Sequence, residues 1–374
     1  MEKQSKVYFS DFRTRAGEPI PKKLQRLILA AGIGDIDFDG RFVVIKIHFG
    51  ELGNLAYLRP QYAKAVADVI KSKGGKPFLS DCNTLYPGSR KNALEHLECA
   101  ALNGYGPLTT GCQVIIADGL KGTDDLEVPV NGGKLCHTAM IGRAIMDADI
   151  FISLNHFKGH EEMGFGGALK NIGMGCGSRA GKMDMHSSGK PKVKESACRG
   201  CHMCAKECGS DAISYVNNKA VINLDLCKGC GRCLAACNFD AISPLQSNAN
   251  AILGEKISEY AKAVLDGRPS FHISVINNIS PNCDCHCEND APILPDIGML
   301  ASFDPVALDQ ACRDLCQKQA AIPNSQLGER LAKGAKPSGD VFIDSNPEVN
   351  DETALERAVE LGLGSREYEL VTIN

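Results

Sequence analysis

The stretch Asp149-Ile-Phe-Ile-Ser-Leu154 is almost entirely apolar and rich in isoleucine, which is typical of a strand buried on both faces. A second run of this kind, Phe42-Val-Val-Ile-Lys-Ile-His48, lies earlier in the chain. Strands that are buried on both faces occur mainly in parallel sheets covered by helices. The two runs therefore favour an α/β fold.

Further strands and helices alternate on either side of these two runs. The patterns predict strands at residues 76–80, 113–117, 271–276 and 368–373. They predict helices at residues 59–72, 89–103, 138–146, 252–265, 306–317 and 352–361, with Asp304 as the N-cap of the fifth and Pro305 as its first residue. This alternation predicts a largely parallel sheet.

The chain contains eighteen cysteines, and eight of them form a duplicated pattern. Each half reads C-x2-C-x2-C-x3-C, and the second half follows 29 residues after the first. The eight cysteines are Cys198, Cys201, Cys204, Cys208, Cys227, Cys230, Cys233 and Cys237. The repeat extends further, because Asp211-Ala-Ile213 recurs as Asp240-Ala-Ile242. An internal duplication of this kind indicates two equivalent structural units.

This spacing is that of bacterial ferredoxins, in which the fourth cysteine of each run ligates the other of two [4Fe–4S] clusters. Carried over by position, the first cluster takes Cys198, Cys201, Cys204 and Cys237, and the second takes Cys227, Cys230, Cys233 and Cys208. The alternative is zinc, which usually takes four ligands from two C-x2-C pairs and fits two runs of four poorly. Gly209 and Asn238 stand where ferredoxins usually have proline.

The ferredoxin-like segment interrupts the α/β pattern. The predicted organisation is a first α/β half at residues 1–190, a 2[4Fe–4S] insert of α+β ferredoxin-like fold at residues 191–245, and a second α/β half at residues 246–374. The insert has seven Lys or Arg and five Asp or Glu residues, and this mild basicity suits an acidic electron carrier as partner.

Composition excludes several other classes of protein. The net charge of −4, with no Trp, argues against nucleic-acid binding. No run of about 18 apolar residues is present, so we expect no membrane span. The first residues have no signal-peptide pattern, and a cytoplasmic location is expected. Metal ligation explains many cysteines there better than disulfides do.

Nearly the whole chain resembles the domain-of-unknown-function 362 family, in the form with an inserted double-cluster ferredoxin. The matching stretches are Val44-Ile-Lys-Ile-His-Phe-Gly50, Leu58-Arg-Pro60, Asp81-Cys-Asn-Thr-Leu-Tyr86 with Arg90, Leu154-Asn-His-Phe-Lys-Gly-His160, Gly164-Phe-Gly-Gly-Ala-Leu-Lys-Asn-Ile-Gly-Met-Gly175, Asn282-Cys-Asp-Cys285, Asp296-Ile-Gly298 and Ser302-Phe-Asp-Pro305. The resemblance implies an iron–sulfur protein of anaerobic or redox metabolism, and an oxidoreductase in particular.

A second site is predicted where residues 155–171 follow the strand at 149–154, because ligands of open α/β sheets gather at the carboxyl ends of strands. Lys158 and Lys170 could neutralise an anionic small molecule, and His156 and His160 could act as acid–base groups or metal ligands. Solvent-facing turns are the structural alternative. Four further residues could join this site: Lys46, His48, Arg59 and Arg90.

Cys283, Cys285 and Cys287 form another dense group, and in an extended segment they share one face. They could hold a third metal centre or cluster, with a fourth ligand from Cys176, Cys312, His286 or a carboxylate. Two of them could instead form a redox dithiol, or the loop could be inert. The other cysteines are expected to be buried apolar residues: Cys82, Cys99, Cys112, Cys136 and Cys316.

Two functions remain open on the sequence. The first is a ferredoxin-linked oxidoreductase in which electrons pass through two [4Fe–4S] clusters to a substrate or cofactor in the α/β domain. The second is a non-catalytic protein for electron transfer or partner docking. Both expect an electron donor or acceptor protein, ferredoxin-like or flavodoxin-like, as partner. Clusters with a structural or sensing role are a third, weaker interpretation.

Overall fold

The computed structural model describes residues 4–86, 88–187, 190–245, 250–349 and 352–373. Its strands are β1 (Ser5–Asp11), β2 (Phe42–Lys46), β3 (Lys76–Asp81), β4 (Gln113–Ile116), β5 (Asp125–Pro129), β6 (Thr138–Gly142), β7 (Ile150–His156), β8 (Lys158–His160), β9 (Gly164–Gly166), β10 (Pro191–Val193), β11 (Ile213–Val216), β12 (Lys219–Ile222), β13 (Ile242–Pro244), β14 (Ser270–Ile276), β15 (Gly298–Ser302) and β16 (Tyr368–Thr372). Its α-helices are α1 (Ile20–Ala30), α2 (Pro60–Ser72), α3 (Ala93–Leu102), α4 (Pro107–Thr110), α5 (Arg143–Met146), α6 (Ala168–Cys176), α7 (Arg179–Ser187), α8 (Met203–Lys206), α9 (Arg232–Ala236), α10 (Asn250–Leu265), α11 (Pro305–Gln317), α12 (Gln326–Ala332), α13 (Val341–Ser345) and α14 (Thr353–Glu360).

An eight-stranded sheet forms the centre of the molecule, in the order β16-β1-β15-β14-β7-β2-β3-β4. The five strands from β14 to β4 are all paired in parallel. Strand β15 pairs antiparallel with both of its neighbours. The prediction of a mixed α/β fold with a mostly parallel sheet is therefore confirmed, and strands from both sides of residues 191–245 contribute to it.

The central strands are buried on both faces. Along β7, Ile150, Ile152 and Leu154 belong to the apolar core that contains α1 and α2. Phe151 belongs to the other core, which contains α6, α10 and α11. Alternate side chains of a strand point to opposite faces, so one continuous apolar run supplies both cores. In the second core Gly173 permits close contact, because a Cβ there would lie 2.0 Å from the backbone oxygen of Ile257.

Most of the predicted elements are present, with two corrections. The helix predicted at residues 138–146 is wrong, since residues 138–142 form β6 and pair with β5, and only Arg143–Met146 is helical. The helix predicted at 89–103 begins at Ala93, where the Asn92 side chain accepts hydrogen bonds from two backbone N–H groups. The predicted N-cap Asp304 is confirmed, because it accepts from the N–H groups of Val306 and Ala307.

Residues 191–245 lie outside the large sheet and repeat one backbone pattern. Positive φ angles occur in pairs 29 residues apart: Gly200 with Gly229, His202 with Gly231, and Asp211 with Asp240. Helices α8 and α9 begin at matching positions. The first strand of each half pairs with the last strand of the other, β10 with β13 and β12 with β11. The duplication seen in the sequence is therefore a duplication of structure.

Across the described ranges, no helix is both long and apolar enough to cross a membrane.

Candidate functional site

The carboxyl ends of β2, β3 and β7 open onto one cavity of about 650 Å³, called the crevice below. Of the residues predicted for the second site, those lining the crevice are Lys46, His48, Arg90, His156, Lys158, His160 and Lys170. Cys285 and Cys287, which belong to the separate cysteine group, line it as well. Arg59 is the exception, because it is exposed at the start of α2 and does not line the crevice. The position at strand ends is the one that parallel α/β sheets use for ligands.

A buried ion pair joins the ends of β2 and β3. Lys46 Nζ lies 3.0 Å from Asp81 Oδ1 and donates a hydrogen bond of 2.8 Å to Asn171 Oδ1. Burial raises the pKa of the Asp81 carboxyl, but the charge on Lys46 and smaller contributions from neighbouring basic groups together outweigh it and hold this pKa well below its usual range. Asn171 also donates to the backbone oxygens of Lys46 and Leu154, both at 3.2 Å, so α6 is anchored to two strand ends.

Arg90 forms the second buried charged contact of the crevice. Its Nε donates to Glu51 Oε2 at 3.0 Å, and its Nη1 lies 3.0 Å from His48 Nε2. The Gly50 backbone N–H donates to His48 Nδ1 at 3.0 Å. Burial, together with the charge on Arg90, lowers the pKa of His48 to about 3. His48 is therefore a neutral group at physiological pH.

His156 is held by two internal hydrogen bonds at the end of β7. Its Nδ1 lies 2.8 Å from Asp284 Oδ2, and its Nε2 lies 2.6 Å from the backbone oxygen of Asn277. Both ring nitrogens are thus occupied, which gives His156 a positioning role toward the loop at residues 281–287. Lys158 Nζ lies 3.6 Å from the same Asp284 oxygen.

Lys170, on the first turn of α6, contacts the cysteine-rich loop. Its Nζ donates to Cys283 Sγ at 2.9 Å, and Cys283 Sγ lies 2.7 Å from Cys285 Sγ. The Cys285 hydrogen bond holds the pKa of Cys283 well below its usual range, and the charge on Lys170 helps to overcome the opposing effect of burial. The hydrogen bond with Cys283, together with burial and the negative charge on Cys283, raises the pKa of Cys285. The pair is therefore a thiolate beside a thiol.

His160 can donate a hydrogen bond or a proton through only one of its ring nitrogens. Its Nδ1 accepts hydrogen bonds from the backbone N–H groups of Glu162 and Met163, at 3.0 and 3.2 Å. Its Nε2 is therefore the nitrogen that can donate, and a hydrogen bond from His160 also lowers the pKa of Cys283. Although burial opposes the effect, His160 and His286 lower the pKa of the adjacent Glu161 to about 2.

Cys287 does not join the other two thiols of its loop. It is exposed, and its Sγ donates to Glu288 Oε2 at 2.6 Å. Cys176 and Cys312, named as further ligands, are buried in the core that contains α6. Over the described part of the chain, no three His, Cys, Asp or Glu side chains are grouped closely enough to hold a single metal ion. The third metal centre remains a prediction.

Several residues of the crevice were missed by sequence reasoning. Lys182 and His186 also line it and lie four residues apart on α7, a helix that was not predicted, although this spacing places two side chains on one helix face. Tyr86 OH lies 2.9 Å from His186 Nε2. Buried polar atoms without a hydrogen-bond partner among the described residues include Asp81 Oδ2 and Arg90 Nη2.

A second, smaller cavity lies in the segment at residues 191–245. Its walls include Cys198, Cys201, Cys204 and Cys237, the four cysteines that the spacing assigns to one cluster. Three come from the first half of the repeat and one from the second. The structure thus brings together all four predicted ligands of the first set.

Backbone N–H groups point at three of the cysteine sulfurs. The Ala212 and Ala241 N–H groups, 29 residues apart, donate to Cys208 Sγ and Cys237 Sγ, each at 3.3 Å. The Ala220 N–H donates to Cys198 Sγ at 3.4 Å. Hydrogen bonds of this kind stabilise thiolate ligands and tune the potential of iron–sulfur clusters.

The second cysteine set consists of Cys227, Cys230, Cys233 and Cys208. Burial raises the pKa of Cys233 to about 12, with Cys230 and Cys227 near enough to add to the shift. Cys208 is half-buried, and burial opposes but does not reverse the lowering of its pKa by its hydrogen bonds, which include those from Ser210 and Ala212. The five cysteines expected to be ordinary core residues are all buried: Cys82, Cys99, Cys112, Cys136 and Cys316.

The fold and the crevice define an α/β protein with a ligand-sized site at the strand ends and a duplicated cysteine-rich segment. Residues 43–314 match the family model described as Domain of unknown function (DUF362), which covers more than half of the chain. The chain belongs to this family.

Other similarities are weaker. A thylakoid-associated protein of Synechocystis sp. is 28% identical over 148 residues, which cover 39% of this chain and 42% of that protein. A lactate racemase apoprotein of Thermoanaerobacterium thermosaccharolyticum has a TM-score of 0.42 and 11% identity over 99% of this chain and 83% of its own. A protein of Thermotoga maritima has a TM-score of 0.39 and 14% identity over 80% of this chain and 58% of its own. Both TM-scores lie below 0.5, so these two likenesses carry no conclusion.

Proposed function

We propose that this protein is an iron–sulfur oxidoreductase in which two [4Fe–4S] clusters, held by a ferredoxin-like insert at residues 191–245, pass electrons to an anionic small molecule in the crevice. The observation that carries the proposal is the meeting of Cys198, Cys201 and Cys204 with Cys237 around one cavity. These four residues come from both halves of the repeat, as the ligand exchange between paired runs of bacterial ferredoxins requires.

The donor set fits a cubane. It consists of four thiols, and Cys198 and Cys237 each already accept a backbone N–H hydrogen bond. Lys219 Nζ and Lys91 Nζ donate to the backbone oxygens of these same cysteines, at 2.5 and 2.7 Å. These contacts hold the ligand loops in position. When bound, each cubane supplies transfer of one electron at a time.

The insert lies against the crevice, which makes a short route for electrons. Leu85 packs in the apolar cluster that contains Cys198, Cys204 and Cys237, and it also lines the crevice. One side chain therefore contacts both sites. A redox segment that served only as an independent carrier would not need this shared wall.

The crevice suits an anionic substrate. Lys158 and Lys170 line it, and Arg90 has one buried nitrogen without a protein partner within the described residues. Burial strengthens the interaction of such cations with an anion. His160, which presents Nε2, is the proposed proton donor, while His156 positions the loop at residues 281–287.

An electron carrier of acidic surface is the proposed partner. Cys201 and Cys230, one from each predicted cluster set, are exposed, so both clusters would lie near the surface. The excess of basic over acidic residues in the segment would attract an acidic ferredoxin or flavodoxin.

Iron analysis of protein purified without oxygen tests the cluster assignment. We expect about eight iron atoms per chain, and about four in Cys201→Ala, because each cubane contains four. The matched control is Cys287→Ala, an exposed cysteine outside both sets, which should keep the wild-type iron content. Zinc in place of iron, or equal iron in Cys201→Ala and wild type, would contradict the assignment.

Reoxidation of the reduced clusters tests the catalytic part. Small anionic acceptors should oxidise the reduced wild-type protein in the absence of any partner protein. Lys158→Met should lose most of this activity and keep its iron. If cluster-intact Lys158→Met reacts at the wild-type rate, the crevice is not the site. If only a partner protein reoxidises the clusters, the protein is the non-catalytic carrier.

A further inference from the structure

We propose that Cys283 and Cys285 form a redox-active dithiol–disulfide couple in the wall of the crevice, and that the reduced clusters supply its electrons. The second clause rests on the proposed function; the first stands on the side-chain geometry alone.

The two sulfurs are held within bonding reach of each other. Cys283 Sγ and Cys285 Sγ are 2.7 Å apart. The residue between them, Asp284, is fully buried and bound to His156. Its backbone oxygen accepts from the Glu51 N–H at 3.0 Å. Cys283 begins a turn in which the His286 N–H donates to the Cys283 backbone oxygen at 3.2 Å, and this turn brings Cys285 back beside Cys283.

The surroundings distinguish this pair from an inert thiol pair. Lys170 Nζ donates to Cys283 Sγ at 2.9 Å, and Cys285 Sγ lies 3.7 Å from His48 Nε2. Cys285 lines the crevice, so a substrate there can reach it. A cation beside one sulfur stabilises its thiolate, which makes that sulfur the better leaving group when the disulfide is reduced.

The step balances with two electrons and one proton. The Cys283–Cys285 bond breaks, two one-electron carriers are each oxidised once, and Cys283 leaves as a thiolate beside Lys170. Cys285 takes one proton from solvent through the crevice. Two clusters that each deliver one electron match this demand, so the couple would convert single electrons into a pair for a two-electron substrate.

Cys287 provides the contrast within the same loop. It is exposed, and it donates to Glu288 instead of contacting the other two sulfurs. The geometry therefore selects a pair from the three cysteines. Cys287→Ser is the matched control, because it removes a thiol from the loop and leaves the pair intact.

The test is a redox titration of the full chain, purified without oxygen and equilibrated with oxidised and reduced dithiothreitol. Acid quenching, unfolding and alkylation, followed by mass spectrometry of the peptide that contains the loop, count its free thiols. We expect Cys283 and Cys285 to oxidise together. The ratio of disulfide to dithiol should change tenfold for each change of about 30 mV in potential, as a two-electron reaction requires. Cys287→Ser should show the same curve, and Cys285→Ser should show no loop disulfide.

Three results would overturn the couple: both thiols staying reduced throughout, a disulfide to Cys287, or a metal ion bound to the pair in the purified protein. Because dithiothreitol supplies and removes the electrons, this test does not depend on the clusters. If iron is absent but the pair titrates, the proposed function fails and the couple stands. In protein oxidised at the pair, reduced methyl viologen should regenerate both thiols faster in wild type than in Cys201→Ala; equal rates would remove the clusters as electron source.

Discussion

Replacing Lys170 by Met should make the Cys283–Cys285 couple harder to reduce. Lys170 Nζ donates to Cys283 Sγ at 2.9 Å and therefore stabilises the thiolate of the reduced form. In the oxidised form the same buried ammonium loses this partner. Both effects favour reduction in the wild type, as in proteins whose reduced form is stabilised and whose potential is high. The variant should have a more negative midpoint potential.

The distance sets the size of the shift. Two unit charges at 2.9 Å attract by about 6 kcal/mol at an effective dielectric constant of about 20. Burying both ions opposes this gain, so we take about a quarter of it, about 1.4 kcal/mol, as the smallest net effect. For a two-electron couple, 1.4 kcal/mol corresponds to about 30 mV. The expected shift is therefore at least about 30 mV and at most about 120 mV.

The assay is the acid-quenched redox titration, run on wild type, Lys170→Met and Lys64→Met. Lys64 is an exposed lysine on α2 that pairs with Asp68, and its loss should leave the midpoint unchanged. Circular dichroism and thermal unfolding check that each variant is folded. A folded Lys170→Met with the wild-type midpoint, or with a less negative one, would refute the role assigned to this ammonium.

Two predictions concern the scaffold. Glu259 is buried and accepts hydrogen bonds of 3.0 and 2.6 Å from Arg357. Glu259→Gln should lower the free energy of unfolding, measured by urea titration, by about 3 kcal/mol, because the buried charge of Arg357 then loses its negative partner. Glu360→Gln, which removes an exposed partner of the same arginine, should have little effect. Burial raises the pKa of Asp309, which accepts from two N–H groups at the start of α6, to about 7. Between pH 4 and 7 the folded state then holds a proton that the unfolded chain has released, so the free energy of unfolding falls as pH rises. Asp309→Asn should flatten this fall. An unchanged slope of the free energy of unfolding against pH, between pH 5.5 and 7.5, would contradict the assignment.

The elements with strong periodic patterns could be predicted from the sequence. The apolar strands at 42–46 and 150–156 and the capped helix that begins at Pro305 follow from local side-chain pattern alone. The segment at 138–146 was misjudged because its apolar residues suit a helix as well as a strand, and pairing of β6 with β5 decides between them. Pairing across the chain is not visible in a short window of residues.

The candidate site was predicted in part. Lys158, His160 and Lys170 follow a strong strand, and the rule for strand ends identified them. Arg59 was predicted to join the site from its position at the start of a helix, and it lies elsewhere because that position is exposed. Lys182 and His186 were missed, since α7 has no strong apolar pattern to reveal it and reaches the crevice only through packing.

The cysteine-rich segment shows most clearly which features the sequence determines and which only the tertiary structure decides. Spacing alone determined that residues 198–237 contain two equivalent halves, because the cysteines and the Asp-Ala-Ile triplet recur at a fixed interval of 29 positions. Only the tertiary structure brought Cys237 beside the first three cysteines, and Lys170 beside Cys283, since residues distant in sequence become neighbours through packing. A local pattern records which groups a chain carries, whereas their distances, burial and charge partners depend on how the sheet and its helices assemble.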